Sequence, residues 1–376
     1  MRPQDLRVLV RRASSVGRIL SMHDLWQMRD AGASRTFDGP SNRPPVNSSL
    51  SSPSEAVAPP IAKRVLVIHY SQTGQLGSVA ERIVAPLRDD PAIAVHVETL
   101  RPVRPFPFPW GFIRFFDAFP ETAHMKPPAL QPLALTGEED FDLVILPYQV
   151  WFLAPSQPIT AFLKHPVAAR LLRGKPVVTV IACRNMWHLA HEKVKGLLAA
   201  IDARLIDNVV LTDPGPTLAT FFTTPAWLVW GRKRGFWGMP DAGLEPGQIA
   251  RTVRFGRALR DALHQGLERG TAPLLAGLGA VNANARLLVS EKAGTRSFFL
   301  WGKLLMAAGG PGAWQRKPLL VLYVLFLLAL IVTVVPVSLT LQALLRPLLR
   351  GWLTRMTAHF EWPSGSATDR SHLYDD

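Results

Sequence analysis

Apolar residues fall along the middle of the chain in five short blocks, "RVLVIHY" (64–70), "IAVHVETL" (93–100), "FDLVILPY" (141–148), "PVVTVIAC" (176–183) and "LIDNVVLT" (205–212). Their Val, Ile and Leu run with little polar alternation, the pattern of strands buried on both faces. Between them lie helix-compatible stretches such as "GSVAERIVAPLR" and "MWHLAHEKVKGLLAAI". The alternation predicts an α/β domain with one parallel sheet and right-handed crossover helices on each side. Residues 248–267 close the domain as a last helix, with Ile249, Val253, Phe255, Leu259 and Leu263 in rough helical register. A different pattern follows. From Pro318 to Leu345 there is no charge at all, bounded by Arg316 and Lys317 before and Arg346 after. About 20 apolar residues suffice to cross a bilayer, so this segment predicts a transmembrane helix, or a re-entrant one kinked at Pro336.

These patterns divide the chain into five parts. Residues 1–60 form a basic leader and a Pro/Ser-rich linker, expected to be disordered. Residues 61–268 form the α/β domain, with an insert at 101–135. Residues 269–317 form a membrane-proximal segment, residues 318–345 the apolar helix, and residues 346–376 a basic and then polar tail. The leader has neither the apolar run nor the cleavage site of a secretory signal.

The formal charge of +14 over 376 residues changes the list of partners. The excess is spread along the chain, without a basic helix interleaved with aromatics, which argues against nucleic acid. Membrane lipid with anionic headgroups is the better counterpart. Basic residues flank both ends of the apolar helix, so they leave its orientation open. A single cysteine, Cys183, excludes an internal disulfide and a Cys-rich metal site, and is compatible with a cytoplasmic catalytic part.

The chemistry begins where the first block ends, in "SQTGQ", Ser71, Gln72, Thr73, Gly74 and Gln75. Open α/β sheets bind ligands beyond the carboxyl ends of their strands. A glycine loop opening a helix presents backbone N–H groups to an anion, and the hydroxyls of Ser71 and Thr73 add short donors without a cation. Neither the Walker pattern nor the Rossmann glycine triplet is present. The loop suits a phosphate monoester held by neutral donors. Taken alone, it is also compatible with a turn and a helix cap.

The loop resembles that of the flavodoxin-like superfamily, Ser/Thr-x-Thr-Gly-x-Thr, with Leu76 at the last position. The resemblance implies a doubly wound five-stranded sheet of order 2-1-3-4-5 with FMN as cofactor, its phosphate on residues 71–75. It also implies that two further loops, 147–158 and 183–187, border the flavin ring. Tyr148 or Trp151, with Trp187, would then stack on that ring, Arg184 and Asn185 would donate toward its polar edge, and Gln149 would be a further cofactor contact. A closer resemblance rests on "HYSQTGQL", "PFPFPW", "YQVWFLAPSQPITAFL", "GKPVVTVIACRNMW" and "LIDNVVLTDPGP". These are similar to the bacterial dialkylresorcinol condensing enzyme family of dialkylresorcinol and aryl-polyene type pathways. This family resemblance implies the aromatase partner of a ketosynthase, at the inner membrane, oxidising a dialkylcyclohexane-1,3-dione to a resorcinol.

Such a substrate needs an apolar wall. The insert supplies Phe106, Phe108, Trp110, Phe112, Phe115, Phe116 and Phe119, with Asp117 and His124 among them as candidate bases. Residues 217–240 offer a second wall, where Trp227, Trp230 and Trp237 stand beside Arg232, Lys233 and Arg234 as at a headgroup boundary. Two other readings remain: an NAD(P)H:quinone-type flavin reductase, and a flavin-free scaffold that docks a ketosynthase.

Overall fold

A computed structural model describes residues 63–344 and 346–375; the leader lies outside the described residues. The five apolar blocks form one parallel sheet from β1 (Lys63–His69), β2 (Ile93–Thr99), β3 (Leu143–Tyr148), β6 (Pro176–Cys183) and β7 (Arg204–Thr212). Between β3 and β6 a small antiparallel hairpin pairs β4 (Val150–Trp151) with β5 (Ala154–Pro155). The sheet order is β2-β1-β3-β6-β7. With the hairpin set aside, this is the 2-1-3-4-5 order of a flavodoxin-like doubly wound sheet. β3 is buried at all six positions and β6 at all but its last, because helices cover both of their faces.

Helix α1 (Gln75–Arg88) follows the first loop and buries Leu76, Val79, Ile83 and Leu87 against the sheet. The closing helix splits into α8 (Pro246–Ala250) and α9 (Val253–His264). α9 packs on α1 so closely that a Cβ on Gly256 would lie 2.0 Å from the Ile83 carbonyl oxygen, which is why glycine stands there. Within the insert, α2 (Phe112–Asp117) and α3 (Phe119–Ala123) are short helices. Covering the sheet between β5 and β7 are α4 (Gln157–Leu163), α5 (Pro166–Leu171) and α6 (His188–Ala200), and α7 (Thr217–Trp230) follows β7.

The domain does not end near residue 268. Leu274, Leu275, Leu278, Val281, Ala283 and Leu288 all belong to the main core, so the expected membrane-proximal segment is part of the α/β body. α10 (Leu288–Ala307) then packs on α3, and α11 (Arg316–Leu344) packs on α10 and α2. The basic and then polar tail is likewise part of the body. α12 (Arg346–Glu361) returns to the body, delivers Phe360 to the main core, and leads into a polar strand of chain hydrogen-bonded along residues 276–281. The span Pro59–Asp376 is one compact unit. Buried Asp207 at the centre of β7 holds this return: it accepts from the Leu274 and Leu275 N–H groups at 2.7 and 3.2 Å and from the Ser364 hydroxyl at 2.7 Å.

Candidate functional site

The carboxyl end of β1 turns at Ser71–Gly74 into α1. Gly74 adopts φ 87°, a left-handed conformation open to glycine at little cost, where the chain enters α1. Ser71 Oγ accepts from the Gly77 N–H at 3.1 Å and so caps the helix. Among the hydrogen bonds of the described residues, none uses the N–H groups of Thr73, Gly74, Gln75 or Leu76. A helix start with free N–H groups is suited to hold an anion. Leu76, where the resemblance calls for a hydroxyl, is a core residue 1% exposed, so its side chain points away from the cradle.

The two glutamines of the loop hold neighbouring chain. Gln72 Nε2 donates to the Pro107 carbonyl at 2.6 Å, and its Oε1 takes a short hydrogen bond from the Tyr70 hydroxyl. Burial pushes that phenol up to about 12, so it stays a donor. Gln75 makes a reciprocal pair with Leu244, donating to its carbonyl at 2.9 Å and accepting from its N–H at 3.1 Å. Asp213, at the end of β7, accepts from the Gly243 and Gly215 N–H groups at 2.7 and 2.9 Å. The insert on one side and residues 243–244 on the other are thereby fixed against the phosphate-type loop. Asp213 and Gln75 as loop fasteners were not evident from sequence, since their partners lie at distant backbone groups.

The 147–158 loop carries the β4–β5 hairpin, turned by Phe152 and Leu153 at φ 49° and 59°. Two successive non-glycine residues in the left-handed region are a strained choice, and strain of this sort collects at functional loops. Trp151 is half-buried. It meets Phe106 at 5.0 Å, Trp110 at 5.1 Å and Tyr70 at 6.0 Å, all edge to face. The Gln149 Oε1 atom is buried without a partner. Tyr148 corrects the expectation of ring stacking: it is fully buried, and its hydroxyl shares a 3.0 Å hydrogen bond with His191 Nδ1. Burial holds His191 down to about 3, so the imidazole is neutral.

The 183–187 loop divides in the same way. Trp187 is 2% exposed, stacked on His188 at 4.4 Å and edge-on to Phe360, so it is a core residue and no face is open to a flavin. Arg184 is engaged with Thr220 Oγ1 at 3.1 Å and lies over the Phe221 ring at 4.0 Å; burial brings it down to about 10. Asn185 keeps a buried Oδ1 without a partner. Burial raises the Cys183 thiol, which argues against a thiolate nucleophile. Beneath the loop, His188 Nδ1 meets Glu291 Oε1 at 2.6 Å, a buried pair that ties α6 to α10.

The candidate bases do not join this cluster. Asp117 accepts from the Gly312 N–H at 2.6 Å and pairs with Arg316 at 3.2 Å. His124 Nε2 donates to the Phe299 carbonyl at 2.9 Å and its ring stacks on Phe299 at 4.2 Å. Both fasten the insert to α10 and α11, which replaces their expected role as bases. The insert aromatics instead form a continuous run. Centroid separations are 6.4 Å for Tyr70–Phe106, 5.3 Å for Phe106–Trp110, 5.8 Å for Trp110–Phe115 and 5.1 Å for Phe115–Phe152. From Phe152 the run passes to Phe119 at 5.9 Å and then to Tyr323 of α11 at 4.4 Å. No set of metal-ligating side chains occurs among the described residues.

No protein-family model matches this sequence, and no curated protein matches it. Among solved structures, a flavoprotein in complex with FMN from Lactobacillus acidophilus NCFM is 17% identical, over 40% of this chain and 93% of its own, with a TM-score of 0.32. A flavodoxin from the domain Archaea is 10% identical, over 54% of this chain and 99% of its own, at 0.29. Flavodoxin 1 from Bacillus cereus is 13% identical, over 52% and 95%, at 0.28. At such scores the likeness carries no argument about this chain, and the reading below stands on its own loops and sheet order.

Proposed function

We propose that the protein is a membrane-bound, FMN-dependent oxidoreductase that aromatises a dialkylcyclohexane-1,3-dione to a dialkylresorcinol. One observation carries the cofactor assignment. The left-handed turn at Gly74 leaves the N–H groups of Thr73, Gly74, Gln75 and Leu76 unused at the carboxyl end of β1 in a 2-1-3-4-5 sheet. A phosphate monoester would be held there with the Thr73 hydroxyl and the positive end of the α1 dipole. Trp151 and Asn185, on the two loops at the same end of the sheet, are the residues that would border the ring. When bound, FMN would supply two-electron oxidation, accepting a hydride from a ring carbon of the dione while one proton is lost from the neighbouring carbon to water.

The chain's own contribution is shape and dryness. Gln72 holds the insert over the loop, and the aromatic run from Tyr70 to Tyr323 excludes water along a path toward the apolar helix. A dione bearing two alkyl chains partitions into lipid, which suits an enzyme whose α11 is long and apolar enough to enter a membrane. A ketosynthase is the class of partner that would deliver such a dione. The family resemblance supports this substrate, and the wall of aromatics is consistent with it.

The test is an absorbance spectrum of detergent-purified protein, before and after anaerobic addition of a dialkylcyclohexanedione. A flavin band that bleaches as resorcinol forms is the expected result. Bleaching by NAD(P)H but not by the dione would assign a quinone-type reductase, and a protein that cannot be reconstituted with FMN would leave the scaffold reading.

A further inference from the structure

The apolar helix is fastened to the body at its start. Arg316, fully buried, pairs with Asp117 at 3.2 Å and Glu121 at 3.0 Å, while Leu320 and Tyr323 pack against Phe119 and Phe298. Phe326 still meets Trp301 at 5.4 Å and Leu327 packs on the same cluster, and beyond them the helix leaves the body. Leu325, Leu328, Val332 and Val337 are 53–71% exposed, a row of large apolar side chains that no other described residue covers. Residues 328–344 span about 26 Å at the helical rise, deeper than one leaflet, so a helix confined to one leaflet must lie obliquely in it.

The chain then comes back. Phe360 is 4% exposed in the main core, 4.9 Å from the His188 ring. Ser364 accepts from the Asn208 N–H at 2.8 Å and donates to Asp207 at 2.7 Å. The Gly279 and Val281 N–H groups donate to the Ala367 and Gly365 carbonyls at 2.6 and 3.1 Å, and the Arg370 N–H donates to Gly277 at 2.9 Å. Both ends of the excursion are therefore built into one folded body. A single crossing would put them on opposite sides of the membrane.

A double crossing fails on the returning helix. α12 has 16 residues, about 24 Å, and carries Arg346, Arg350, Arg355, His359 and Glu361. Each arginine at a bilayer centre costs about 2.5–3.5 kcal/mol even on the most lenient scale. Exposed Arg350 and Arg355 are suited instead to headgroups, and exposed Lys303 and Lys317 add to them near the root of the excursion. The apolar surface continues sideways. α2 touches both α11 and α7, and α7 leads to Trp230 and Trp237, 66% and 91% exposed, beside Arg232, Lys233 and Arg234. Aromatic and basic side chains mixed in this way match the boundary of an anionic leaflet.

We propose that residues 316–361 form a helical hairpin that lies obliquely in one leaflet of an anionic phospholipid bilayer, with the exposed apolar side chains of α11 among the acyl chains and Arg350 and Arg355 at the headgroups, keeping the docked tail and the α/β domain on the same side. This deepens the membrane part of the reading above and is independent of the flavin. The experiment uses the full chain with its only cysteine removed, C183A, and single cysteines at the exposed positions A94C on β2 and H372C in the tail. Each is treated with a membrane-impermeant maleimide in sealed vesicles of both orientations. The hairpin requires A94C and H372C to label in the same orientation and to be protected in the other. Labelling of the two in opposite orientations overturns it and means a single crossing. A chain found wholly in the soluble fraction overturns the membrane reading along with it, while the flavin spectrum of the same material still reports on FMN. In a second variant, V332D, the new charge falls on a side chain already facing outward; the hairpin predicts several-fold less protein in the membrane pellet, and unchanged retention counts against it.

Discussion

Gly74 has no heavy atom within 4 Å of where a Cβ would stand, so only its backbone conformation resists substitution. Gly74→Ala should cost about 1–2 kcal/mol through the left-handed φ and turn the cradle N–H groups aside, lowering FMN affinity several-fold in a flavin titration. Gly74→Asn should recover part of that loss, because asparagine tolerates this region better. His191 offers a pH signature. Its folded-state value is depressed to about 3, so the unfolded chain binds one more proton between pH 3 and its ordinary 6.5. The contribution of the neutral histidine is therefore complete above 6.5 and is lost by about 1.4 kcal/mol per pH unit as pH falls toward 3. Denaturant melts of wild type and His191→Leu should show a stability gap that narrows over this window. The sequence put the Ser71–Gly74 turn at the end of the first strand, and it lies there, with Gln75 opening α1. It could not separate Trp151 from Trp187 or Tyr148, because which faces of a ring are already covered depends on Phe360, His188 and His191, brought from elsewhere in the chain.

At the scale of elements, the five strands were legible because a sheet covered on both faces demands uninterrupted apolar blocks, and all five form within two residues of the expected ends. The insert was legible as an aromatic wall but not as a clamp. Its two short helices bury little on their own, and their placement comes from Arg316 reaching Asp117 and Glu121 from 195 or more residues away. Arg316→Met should leave both carboxylates without their buried cation and destabilise the protein by about 3–5 kcal/mol. Limited proteolysis should then cut between α10 and α11 much faster than in wild type. Faster cutting confined to the leader would count against this role for Arg316.

For the whole molecule, sequence suggests that removing residues 313–376 leaves a soluble flavin-binding domain. The fold argues otherwise, since the tail fills the core with Phe360 and satisfies buried Asp207 through Ser364. Truncation at 313 should yield aggregated or protease-sensitive protein. Replacing only residues 326–349 with a flexible Gly/Ser linker should instead give a soluble, cooperatively melting protein that still takes up FMN. Equal solubility of the two variants would refute the structural role of the tail.

The sequence alone determined the α/β class, the position of the first strand-to-helix loop and the presence of one long apolar helix. Each of these depends on local composition and period, which neighbouring residues carry among themselves. Tertiary structure decided which aromatics line the loops and which lie in the core. It also turned Asp117 and His124 into fasteners and brought the polar tail home. Those outcomes rest on ion pairs and backbone hydrogen bonds between residues far apart in the chain, and such pairings leave no periodic trace in the segments that make them.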